Sequence, residues 1–288
     1  METYVLRRAD WEWLYNCSYL SADTWSEVAS TWPNTPLGVY SLTFGVIFAP
    51  LYMLCLAAMI TVKMPNNSCY RIMFVLGIFD VLGLLISCFI TGVFLTRGVT
   101  FCTSRELIYI IGCVLDGVWA AEGALSVLLA LNRCADFWRF RWLKACFDGT
   151  GIHYWFIGVV IYTACFVIFP SPPVFSPATH GVWMLDPFAD LILNGLQPEV
   201  RSNWPLLINN SIVVLALPVL YSALVLSIKF SQSAIGTRKH HMQVALQAFM
   251  ICLLNFFSAF LYVYMYFLPT HRFLYIVCLV GWQGSSGE

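Results

Sequence analysis

Six long apolar runs and the start of a seventh divide this chain, at residues 38–62, 72–95, 107–131, 154–169, 205–230, 244–268 and 273–282. A run of about 20 apolar residues crosses a bilayer as a helix. The pattern therefore predicts an all-α membrane protein, a seven-transmembrane bundle whose seventh helix is incomplete. It divides the chain into a tail (1–37), the bundle (38–283) and a short polar end (284–288).

Composition supports this and narrows the partners. The chain is 60% hydrophobic and only 10% charged, where soluble domains carry about a quarter charged residues. Its net charge is zero, so a lipid bilayer is the expected surroundings and nucleic acid is not. No glycine-rich phosphate loop, Gly-x-Ser-x-Gly or His-x-x-x-His pair is present, and the crossings hold no histidine. His240 and His241 are adjacent and point to different helix faces, which argues against a metal pair. No enzyme, cofactor or metal is expected.

Basic residues orient the bundle. Loops after segments one, three and five hold Lys63, Arg71, Arg133, Arg139, Arg141, Lys144, Lys229, Arg238 and Lys239, against Arg97, Arg105, Arg201 and Arg272 opposite. Nine against four places the first set in the cytoplasm and the N-terminus outside. The first residues lack the apolar stretch of a cleavable signal, so segment one acts as the signal-anchor. Asn16-Cys17-Ser18 is then a glycosylation sequon on the outer side. Asn66 and Asn209 lie in sequons on the inner side or within a crossing and stay bare.

The same topology sorts the 11 cysteines. Most lie in the membrane, where cysteine is a small apolar packer, or face the reducing cytoplasm. Cys17 and Cys102 alone fall in the oxidising compartment and are the candidates for a bridge.

Charges inside a membrane are costly and mark function. Asp80, counted from Arg71, lies about 14 Å deep, and Glu122, counted from Arg133, about 16 Å deep at 1.5 Å per residue. The two helices are antiparallel, so both carboxyls fall near one level. Facing each other, they share a proton or hold a cation; otherwise each is protonated glue between helices. Asp116 stands about four turns from Arg133, toward the outer mouth. With Trp119 it marks a candidate ligand pocket, where Asp116 meets either a ligand amine or interfacial water.

Several short stretches resemble one family across nearly the whole chain. They are Tyr15-Asn16-Cys17-Ser18, Pro36-Leu37-Gly38, Asn67-Ser68-Cys69-Tyr70, Leu76-Gly77-Ile78-Phe79-Asp80, Leu131-Asn132-Arg133-Cys134, Tyr262-Val263-Tyr264-Met265 and Gly281-Trp282-Gln283. In this order they resemble nematode chemosensory seven-helix receptors of the serpentine class T (Srt) group. The resemblance implies a G-protein-coupled receptor for a small molecule, in the plasma or ciliary membrane of a sensory neuron. It implies that Asn132-Arg133 meets the heterotrimeric G protein and that Asp80 is the sodium-binding acid of helix two. The bridge such receptors make from helix three to the second outer loop has no counterpart, because residues 170–204 contain no cysteine. Related receptors also continue helix seven past Trp-Gln, so the resemblance implies either that this sequence is part of a longer chain or that it is a truncated isoform that does not signal. The alternatives are that non-signalling isoform and a transporter, for which only the Asp80/Glu122 pair speaks.

Overall fold

The computed structural model describes residues 1–18, 21, 23, 34–61, 67–138, 141–176, 182–184, 203–230, 243, 246, 249, 253, 255–265, 267 and 272–286. Two short helices, α1 (Glu2–Val5) and α2 (Arg8–Leu14), open the chain. The bundle follows as α3 (Thr35–Thr61), α4 (Ser68–Leu84), α5 (Thr91–Arg97), α6 (Arg105–Trp138), the short α7 (Arg141–Ala145), α8 (Gly151–Ile168), α9 (Trp204–Phe230), α10 (Asn255–Met265) and α11 (Arg272–Ser285). Among the described residues, five helical stretches are long and apolar enough to cross a membrane, and α10 and α11 are shorter apolar helices. Between α8 and α9, β1 (Val174–Ser176) pairs antiparallel with β2 (Val182–Met184), Phe175 opposite Trp183. Length and composition did not reveal this hairpin inside what reads as a loop.

α6 is the central pillar. It packs against α4, α8 and α9. In its most apolar window 72% of the residues are buried, against 11% in α3, which lies at the periphery. The outward residues of the peripheral helices, such as Val46, Leu54, Val160, Leu215 and Val219, are exposed aliphatics, as suits a surface that meets lipid rather than water. Where α3 crosses α5, two glycines face each other: a Cβ on Gly38 would stand 2.9 Å from the Gly92 carbonyl oxygen. Small residues let the helix backbones approach closely, a main source of helix association in lipid.

The second crossing is one continuous stretch, Ser68–Arg97, with a wide turn inside it. The Asn67 side chain caps its start by accepting from the Cys69 backbone N–H, and Gly98, with φ of 63°, ends it. Between α4 and α5, residues Leu85–Ile90 form a π-helix. The Thr91 hydroxyl donates to the Ile86 carbonyl five residues back at 2.8 Å. Such turns are frequent at functional sites, and this one positions a residue that lines the cavity described next.

Candidate functional site

The N-terminal stretch, polar by sequence, closes one end of the bundle. Trp11 and Tyr15 are fully buried, in one apolar cluster with Tyr109, Phe175, Trp183 and Trp282. Tyr15 meets Tyr109 edge-on at 5.0 Å, and the Arg105 guanidinium lies 4.3 Å from the Trp11 ring centre. Arg8 pairs with Glu106 and with Glu12. The Met1 ammonium donates to the Ile168 carbonyl at 2.9 Å and to Cys113 Sγ at 3.3 Å, reaching both α8 and α6. Cys17 and Cys102 are joined as a disulfide that ties the tail to the turn before α6. Asn16 beside it is half-buried, and its Oδ1 accepts from the Ser18 N–H at 2.9 Å.

Beneath this tail lies a cavity of about 60 Å³. Asp116 and Trp119 of α6 line it, with Trp183 from the hairpin, Tyr262 and Ser258 from α10, and Trp282 from α11. Trp119, Trp282, Trp183 and Asp116 are each fixed by a polar contact or a ring contact. Trp119 donates its indole N–H to Asn210 Oδ1 at 2.7 Å. Trp282 meets Trp119 edge-on at 6.2 Å. Trp183 donates to Thr91 Oγ1 at 2.9 Å, so the wide turn in the second crossing sets this wall. Asp116 is 1% exposed, and its Oδ2 accepts from Asn203 Nδ2 at 2.8 Å. Asn203 also donates to the Ser171 carbonyl and caps α9 by accepting from the Leu206 N–H. Oδ1 of Asp116 has no hydrogen-bond partner among the described residues.

Deeper in the bundle, Asp80 and Glu122 are 4% and 1% exposed. Tyr52 of α3 donates its hydroxyl to Asp80 Oδ2. Glu122 Oε1 lies 2.7 Å from the place a Cβ would occupy on Gly83, as does Ser286 Oγ. Gly83 is three residues past Asp80 and so shares its helix face. The two carboxyls are within electrostatic reach of each other. Neither oxygen of Glu122 has a hydrogen-bond partner among the described residues, nor has Ser286 Oγ. Gln283 Nε2 donates to Ser41 Oγ and to the Ser87 carbonyl, both at 2.8 Å, and locks α11 to α3 and the second crossing. Gly284 and Ser285 extend α11, and Ser286 is buried, so this polar stretch lies inside the bundle.

At the far end of α6, Asn132 is buried and donates its Nδ2 to Ser68 Oγ at 2.8 Å, tying α6 to the first turn of α4. Arg133 is half-buried, and its Nε has no partner among the described residues. The expected neighbour of Arg133, the inner half of helix six, falls mostly in 231–252 and lies largely outside the described residues, as do Asn66, Arg139, His240 and His241.

The structure thus brings Asp116 together with Trp119, Asp80 with Glu122, and Cys17 with Cys102. Sequence reasoning missed Trp183 and Trp282 as cavity residues, and Asn203 as the partner that fixes Asp116. The one available signal was Asn203, a capping residue type directly before the apolar run of α9.

The family model for serpentine type 7TM GPCR chemoreceptor Srt matches residues 2–288. A Caenorhabditis elegans protein described as serpentine receptor class T-55 is 24% identical over 279 residues, which cover 95% of this chain and 74% of that relative. No solved structure matches.

Proposed function

The chain belongs to the serpentine type 7TM GPCR chemoreceptor Srt family, and from that premise we propose that it is a G-protein-coupled receptor that binds a small molecule beneath its tail. Membership makes it a multi-pass membrane protein of a receptor family. The reading adds that the tail faces the exterior, at a plasma or ciliary membrane, with Asn16 glycosylated. The far end of α6, with Asn132 and Arg133, meets a heterotrimeric G protein.

One arrangement supports this best. A single helix, α6, carries Asp116 and Trp119 in the cavity, Glu122 in the mid-bundle polar seam, and Asn132 and Arg133 at its far end. The distance from Asp116 to Arg133 along the helix is about 25 Å at 1.5 Å per residue. A ligand that repositions Trp119, directly or through Trp282 packed edge-on against it, acts on the same helix that carries Arg133. The transmitted event is a shift between two bundle states with different ligand affinities.

The seam has a role of its own in this reading. Two buried carboxyls close together do not both remain charged without a proton or a cation between them. Asp80, Glu122 and Ser286 supply hard oxygen ligands suited to a small cation, and the unpartnered Glu122 oxygens fit such an occupant. The cation would stabilise one of the two states. The same pair is what favours the transporter alternative.

Ligand-dependent nucleotide exchange on a G protein, in membranes holding the chain, tests the receptor reading. Ligand-driven ion or solute flux in liposomes without exchange would favour the transporter.

A further inference from the structure

We propose that the cavity beneath the tail is a site for a small organic ammonium ion, with Asp116 as its counter-charge and Trp119, Trp183, Tyr262 and Trp282 as its walls. The proposal rests on the chemoreceptor reading and gives it a ligand class.

Three observations carry it. First, Asp116 lines the cavity, is 1% exposed and keeps Oδ1 without a partner among the described residues. A buried carboxyl with an idle oxygen is expensive unless something donates to it. Its other oxygen is fixed by Asn203, so the idle one is held in a set direction rather than free to turn away. Second, among the described residues the lining includes no lysine, arginine or histidine. The nearest turn does have a cation: the Met1 ammonium sits at Cys113, one turn outward from Asp116 on the same face of α6. Its hydrogen bonds go to Ile168 and Cys113, which leaves Asp116 Oδ1 open. Third, Trp119, Trp183, Tyr262 and Trp282 stand among the aliphatic lining residues, and a cation is attracted to aromatic rings, most strongly those of tryptophan. A carboxyl oxygen, three indole rings, a phenol ring and aliphatic side chains together suit an ammonium carrying short alkyl groups.

Volume limits the guest. A cavity of about 150 Å³ in an engineered core accepts benzene. The cavity here, about 60 Å³, suits a guest smaller than benzene, of roughly three to five heavy atoms by that comparison. The alkyl groups replace no hydrogen bond there, and the N–H groups have Asp116 Oδ1 to donate to.

The test is direct binding to the purified full chain in lipid nanodiscs, followed by ligand-observed NMR. The probes are isopropylammonium and its uncharged isostere isopropanol. The cation is expected to bind at least tenfold more tightly, and Asp116→Asn to remove that preference. Trp282→Leu is expected to weaken the cation severalfold more than the alcohol, which keeps the proposal testable should the Asp116 variant fail to fold. Equal binding of both probes, or a preference that survives Asp116→Asn, overturns the ammonium site. Binding that meets these terms without nucleotide exchange leaves the site standing and removes the G-protein reading. Exchange driven only by neutral odorants does the reverse.

Discussion

Glu122 lies against Gly83 where no side chain intervenes: its Oε1 is 2.7 Å from the position of a Cβ on that glycine. The acid of α6 is thereby placed over the helix that carries Asp80, and Ser286 reaches the same spot from the end of α11. Three elements converge where residue 83 has no bulk. Gly83→Ala inserts a methyl into this contact, and overpacking of this kind costs about 1–3 kcal/mol. A lower unfolding temperature of the purified protein is the expected result. An unchanged temperature would mean that Glu122 does not lie on Gly83.

Asp80 and Glu122 should behave as one unit. Asp80→Asn and Glu122→Gln are expected to be non-additive in a double-mutant cycle on thermal stability, with a coupling above about 0.5 kcal/mol. Additive effects would mean that the carboxyls act separately. Sodium titration of the wild type and of both variants checks the cation directly, since a bound ion raises the unfolding temperature with concentration.

The tail is expected to be docked by the Cys17–Cys102 bridge. The bridge closes a loop across 85 positions, and removing a native disulfide of this sort costs about 2–5 kcal/mol. Cys17→Ser should expose the tail to limited proteolysis ahead of the bundle. Non-reducing peptide mapping of surface-expressed protein should recover the two cysteines in one linked species; both thiols found free would end the assignment.

Thr91 ties the wide turn to the cavity wall. Its hydroxyl donates to Ile86 and accepts from the Trp183 indole. Thr91→Val keeps the shape but strands a buried indole N–H, at about 1–3 kcal/mol. The expected result is weaker ligand binding together with a shift in the emission of a protein that retains Trp183 as a reporter. Binding equal to wild type would detach the turn from the site.

Much of the bundle was legible because apolar length is a direct physical requirement of the bilayer: α3, the second crossing (Ser68–Arg97), α8 and α9 each coincide with an apolar run to within four residues, and α6 overruns its run by seven at its far end. Asp80 and Glu122 were legible for the same reason, since a charge stands out inside such a run. The cavity was only half legible. Asp116 stood out as a charge, but Trp183 and Trp282 are ordinary aromatics by sequence, and they stand 64 and 163 positions beyond Trp119, on a hairpin and on another helix. The burial of Trp11 and Tyr15 was hidden by their charged neighbours Asp10 and Glu12, which made the segment read as a solvated tail. The π-helix of Leu85–Ile90 has no compositional mark, because its residues suit an α-helix equally well.

The central claim is that α6 joins a ligand event under the tail to a G protein at Arg133. Nucleotide exchange on heterotrimeric G proteins, measured in membranes carrying the chain against a panel of small ammonium ions and neutral odorants, tests it most directly. A concentration-dependent rise with at least one ligand is expected, abolished by Arg133→Ala while surface expression and ligand binding are retained. Exchange that persists at full strength in the Arg133→Ala variant would contradict the claim and leave that arginine as a membrane-edge anchor alone.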